Sequence, residues 1–271
     1  PSAPVLLAAI NAVKETGDRG SLPTLRARYR NEPVPEIRLA IAQAWGELDD
    51  KDALPLLALT LRDKTTPEAL HDASIAAVEK IGSDLAIRSL VGLLGDEELA
   101  GARKARVIAA LGRFKATAAV GALVASLKDP EPSVRATAAE SLGKIGQLEG
   151  AGAPLRAVLA DPSLEVKRAA ILALGALSDR EAIPALTAAS EVPDTRYEAI
   201  RALALNPDLL ALQAYLGGLT DKSPELRTVS AGAIARIRDQ AAPILDQLAV
   251  RHELSPTAVP ELRKVYSSLQ P

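Results

Sequence analysis

A basic residue returns at near-constant spacing along most of this chain, and that spacing restricts the fold more than any single motif. Arg38, His71, Lys104, Arg135, Lys167, Arg196 and Arg227 follow one another at steps of 33, 33, 31, 32, 29 and 31 residues. The eighth residue beyond each is small in Gly46, Gly112, Gly143, Gly175, Ala204 and Ala235, with Glu79 as the exception. Self-similarity at this period marks stacked supersecondary units, each too small to bury its apolar face alone.

The clearest copy, residues 117–146, shows what one unit contains. Val120, Leu123, Val124 and Leu127 follow the three-and-four spacing of a helix face, and Asp129-Pro130 ends that helix. A second helix is expected from Pro132 or Ser133, where proline in the first turn gives up no hydrogen bond. Val134, Ala138, Ser141, Leu142 and Ile145 form its apolar stripe, and Gly146 closes it. Composition agrees: apolar residues reach 48% but aromatics only 2%, so Ala, Leu, Val and Ile must build the core. Ala and Leu favour helix, and Ala lets two helices approach closely.

Two further markers keep the same phase. Pro23, Pro55, Pro154, Pro184 and Pro243 recur in the first helix, with Arg88, Gly121 and Ala214 in the copies that lack proline. Inside a helix such prolines imply a bend. An acid recurs at the turn within each unit: Asp63, Asp96, Asp129, Asp161 and Asp221, with Asn31 and Glu191 in weaker copies.

Proline in the first helix, aspartate at the turn and V-R-x-x-A-x-x-A-L-G in the second together resemble the HEAT-repeat family. Val134-Arg135 to Gly143 and Val166-Lys167 to Gly175 carry the best matches. The resemblance covers nearly the whole chain. It implies an all-α, right-handed α-α superhelix, a HEAT-like solenoid of about eight helical hairpins plus a leading helix. The expected pairs are 21–48, 52–82, 84–114, 117–146, 150–178, 179–205, 207–238 and 240–269, after an incomplete leading repeat at 1–17. Leu262-Arg263 is the candidate basic position of the last pair. Residues 5–13 hold a single polar residue, Asn11, so the array is expected to belong to a longer polypeptide or to dock its front end. The resemblance also implies that each turn acid and basic residue form a hydrogen-bonded ladder between neighbouring units, with Asp63 the partner of His71.

Chemistry-bearing motifs are sparse. The formal net charge is −2, which gives no global drive toward nucleic acid. The densest basic run, Arg103, Lys104, Arg106, Arg113 and Lys115, spreads around one helix as a solvated face. Cysteine is absent, and no charge-free stretch, residues 116–127 among them, is long enough for a membrane-spanning helix. The two histidines stand far apart, and the paired His-Glu motifs used by helical-repeat hydroxylases are lacking. No metal and no cofactor is expected. Asp49, Asp50 and Asp52 suit helix capping, and Trp45 fills a slot held by leucine in other copies. The compartment, cytoplasmic or periplasmic, stays open.

In a HEAT-like stack the second helices line the concave side. Positions one, five and nine beyond each basic residue share a face there. Those rows turn from small and apolar to charged and aromatic between Ala136 and Tyr197. Glu140, Lys144, Arg168, Tyr197, Arg201 and Arg236 are the candidate partner-binding residues, since Tyr and Arg dominate interface hot spots. The reading is a non-enzymatic scaffold for a protein segment, or a spacer between flanking domains of the same polypeptide. The alternatives are a nucleic-acid-binding protein like the HEAT-like DNA glycosylases and a protein like the helical-repeat bilin lyases.

Overall fold

The computed structural model describes residues 2–96, 99, 101–147 and 149–266, the side chain of residue 265 excepted. Among these residues every regular element is a helix. Residues 267–269, the end of the last expected pair, lie outside the described residues. Internal contacts group the chain into two units, residues 1–141 and 142–271.

The first unit opens with α1 (Ala3–Thr16) and continues with the pairs α2 (Leu22–Arg30) and α3 (Pro35–Glu47), α4 (Leu54–Arg62) and α5 (Glu68–Ile81), and α6 (Asp84–Leu94) and α7 (Gly101–Arg113). It then holds α8 (Val120–Ser126) and most of α9 (Pro132–Ile145). The second unit holds α10 (Gly152–Val158) and α11 (Leu164–Ala176), α12 (Ile183–Glu191) and α13 (Arg196–Leu205), α14 (Leu212–Leu219) and α15 (Pro224–Arg236), and α16 (Arg238–Val250) and α17 (Val259–Val265). Second helices stack on second helices, α1 on α3, α3 on α5 and α5 on α7 in one unit, α11 on α13 and α13 on α15 in the other. First helices pack likewise, α4 on α6 and α12 on α14.

The prolines do not bend the first helices as the sequence suggested. Pro23, Pro55 and Pro184 each sit at the first or second helical position, immediately after a single 3-10 turn. A missing N–H there was never going to find an intrahelical acceptor, so proline costs nothing and presets the backbone angle. Pro154 is the third residue of α10, still in its first turn, and Pro243 alone of these five lies beyond the first turn, in α16.

The small residue of the repeat also acquires a cause. A Cβ on Gly46 would stand 2.8 Å from Ala77 Cα, and one on Gly175 would stand 2.6 Å from Ala202 Cα. Glycine at this phase therefore lets successive second helices touch backbone to backbone. Around these contacts the stripe foreseen on α9 is buried, from Val134 to Ile145. Trp45 is fully buried and packs tilted against Tyr29 with ring centroids 4.6 Å apart.

Candidate partner-binding face

Four of the turns that carry an aspartate are built the same way. The Asp63, Asp129, Asp161 and Asp221 carboxylates accept from the backbone N–H two residues on, those of Thr65, Glu131, Ser163 and Ser223. This local bond mimics a turn of backbone and satisfies a donor ahead of the second helix. At Asp221 the Ser223 amide is the main cause holding the carboxyl below its usual range, with Arg196 adding to it. At Asp63 the Thr65 hydroxyl and amide do the same.

The basic register residue then clamps its own turn. Arg135 donates to the Asp129 and Pro130 carbonyls at 2.9 and 3.0 Å, Arg196 to Ser190 O at 3.1 Å, and Arg227 to Asp221 O and Lys222 O at 2.8 and 3.0 Å. Rungs to the next repeat also form. Lys104 reaches Asp129 at 2.7 Å, and Arg196 reaches Asp221 at 2.9 Å.

Elsewhere the structure departs from the expected ladder. Arg38 lies over the Tyr29 ring and donates to the Thr60 hydroxyl at 3.2 Å rather than ion-pairing with Asp63. His71 does not bond Asp63. It is fully buried, and neither ring nitrogen has a hydrogen-bond partner among the described residues. An imidazole is too short and too weakly donating to span the gap that Arg or Lys spans. Arg103 from α7 covers the turn instead, donating to the Asp63 and Thr66 carbonyls at 2.8 and 2.5 Å, and Arg62 takes Asp96 at 3.1 Å.

Nor do the clustered aspartates cap a helix. Asp50 makes no cap bond with its side chain and is instead the buried partner of Arg26, which also reaches Asp52 at 3.4 Å. Sequence reasoning missed Arg26 because its partner lies in the next repeat. The same arrangement recurs with Arg156, Asp179 and Glu181.

The candidate partner residues fall on successive second helices. Glu140 and Lys144 are exposed on α9. In the second unit Arg168 (α11), Tyr197 and Arg201 (α13) and Arg236 (α15) come from three neighbouring elements. Arg168 donates twice to Asp194 O, at 2.8 and 2.6 Å, and stands 3.5 Å from Glu198. Tyr197 donates to Glu225, which also pairs with Arg201 at 3.4 Å, while Arg201 lies over the Tyr197 ring at 5.4 Å. That carboxylate, which the sequence reading left out, is the chief cause of a raised Tyr197 phenol. Arg236 donates to the Ala204 and Leu205 carbonyls at 3.1 Å each, capping the end of α13. Leu172 and Leu205 are 37% and 52% exposed on the same helices.

A cavity of about 340 Å³ opens beside Arg236, Arg180 and Asp208. Its polar groups already hold partners: Arg180 meets Asp208 at 2.8 Å, Asn206 donates to Ser178 at 2.5 Å, and Tyr215 donates to Leu203 O at 3.0 Å. Burial pushes the Tyr215 phenol up to about 12. Among the described residues no group of three or more His, Cys, Asp or Glu side chains could hold a metal ion.

The family model for HEAT repeats matches residues 1–76, 98–163 and 149–204, more than half of the chain. The chain belongs to the HEAT-repeat family. A search of curated proteins finds no match. Solved structures similar to this chain include the complex of CpcE and CpcF of phycocyanin lyase from Nostoc sp. PCC7120, at 22% identity and a TM-score of 0.49 over 80% of this chain and 94% of that one. Human deoxyhypusine hydroxylase in complex with glycerol is similar at 20% identity and a TM-score of 0.36, over 85% of this chain and 96% of that one. No helix among the described residues is long and apolar enough to cross a membrane.

Proposed function

We propose that this HEAT-repeat protein is a non-enzymatic interaction scaffold whose second-helix face in residues 142–271 takes an acidic segment of another protein or of a flanking domain. One observation carries the reading. Arg168, Arg201 and Arg236 are exposed there around Leu172 and Leu205, against the two carboxylates of Glu198 and Glu225. Arginine fixed by backbone carbonyls keeps its charge and its remaining donors for a ligand, and exposed leucines give such a segment apolar contact. Nucleic acid fits less well, because the basic run on α7 is neutralised by Glu68, Asp72 and Glu79.

The spacer role is favoured by a different observation, the closure of Tyr197, Arg201 and Glu225 on one another. Charge reversal separates the two. A partner captured by the chain, then lost from Arg168→Glu and Arg201→Glu with helicity intact, supports the scaffold. Capture indifferent to both reversals removes this face from the function.

A further inference from the structure

In the second unit one rung of the ladder does not close: Glu191, the acid of that copy in the sequence, is exposed and makes no ion pair with Lys167 among the described residues. Twenty-five residues beyond the ladder cation lies its acid in the Lys104–Asp129 and Arg196–Asp221 rungs, whereas twenty-five beyond Lys167 lies Val192. Lys167 is half-buried on α11, and its ammonium has no hydrogen-bond or ion-pair partner among the described residues. Val192 is 48% exposed. Beside them opens a cleft of about 310 Å³ whose apolar wall includes Leu159, Leu164, Ile171 and Val192. Asp194, two residues further on, also lines the cleft, but closes no ion pair with Lys167.

We propose that this cleft docks a partner-protein segment carrying a carboxylate beside an aliphatic side chain, with the carboxylate standing at Lys167 where Asp129 stands at Lys104. The intact rungs supply the template, since a carboxylate oxygen meets the cation at 2.7 and 2.9 Å at this register. Charge complementarity selects the acid, because the group left over is a cation whose stem lies along apolar surface. The wall selects the aliphatic neighbour. A phosphate backbone would meet leucine, valine and the like charge of Asp194. The cleft is lined by residues of α11, α12 and the turns beside them and by none of Arg168, Arg201 and Arg236, so its test is separate from that of the scaffold reading.

The test uses the whole isotope-labelled chain, titrated with acetyl-Leu-Asp-Leu-amide and with its Asn counterpart while backbone amides are followed by NMR. The expected result is a set of shifts centred on residues 164–171 and 185–195, with the Asn peptide at least fivefold weaker. Val192→Asp supplies the acid internally and Lys167→Met removes the cation. Each is expected to weaken the Asp peptide at least fivefold while leaving the circular dichroism unchanged. Asp194→Asn removes a like charge and is expected to hold or raise the affinity. Four outcomes overturn the proposal: equal affinity for the two peptides, shifts centred elsewhere or absent at millimolar peptide, binding undiminished in Val192→Asp, or occupation of the cleft by decanoate but not by the peptide.

Discussion

In residues 1–141 the ladder loses its cation at His71; in residues 142–271 the rung at Lys167 does not close among the described residues. Around His71 the surroundings have been rebuilt. Arg103 satisfies the turn carbonyls, Arg62 takes the acid, and the imidazole is sealed away from water. Around Lys167 the turn carbonyl of Asp194 is taken by Arg168, but no acid has been supplied to the ammonium, which lines an open cleft. The difference follows from burial. An orphaned polar group inside the protein costs free energy until something bonds it, whereas an exposed charge is hydrated where it stands. A gap in the interior therefore draws in substitutes, and a gap at the surface persists as a vacant position.

Four substitutions sharpen or break this contrast. Asp129→Ala sets the scale of an intact rung, because it removes a turn bond and leaves the half-buried Lys104 unpaired. It should cost about 2–4 kcal/mol in denaturant unfolding, and a loss below about 1 kcal/mol would show the rungs to be decorative. His71→Leu comes next. Replacing two orphaned buried nitrogens by a hydrocarbon should stabilise the chain by about 1–3 kcal/mol at neutral pH.

The same residue sets a pH dependence. Burial first, then the Arg103 and Arg106 charges, hold the His71 pKa below its ordinary 6.5, against smaller opposing effects from Asp72 and Glu68. The unfolded chain therefore binds the proton more readily than the folded one. The stability that His71 confers as a neutral group is complete above the unfolded value and drains away as pH falls from there toward the folded one. In His71→Leu that part of the acid sensitivity should vanish, and thermal melts at stepped pH would show it. An unchanged pH profile would mean that the imidazole is hydrated after all.

The vacant rung should respond more gently. Val192→Asp is expected to gain about 0.5–1 kcal/mol by closing on Lys167 near the surface. Lys167→Met should change stability by no more than about 0.5 kcal/mol, since no partner is lost. A large loss on Lys167→Met would reveal a hidden partner and erase the comparison.

The sequence alone determined the repeat, because a period near 32 with helical apolar spacing admits few folds other than stacked hairpins. It also located the second-helix stripe of α9, Trp45 in the core and the aspartate turns, all of which depend on residues close in sequence. It misread the prolines, since a phase within a repeat does not say whether a helix has already begun; the 3-10 turn ahead of Pro23, Pro55 and Pro184 decided that. It could not find Arg26 with Asp50, Arg103 over the Asp63 turn, or Glu225 against Tyr197. Each of those contacts joins residues 24 to 40 positions apart, and only the angle and offset between stacked repeats bring them within bonding distance. Local chemistry is written in the period, whereas partnership across repeats is set by how the helices lean on one another.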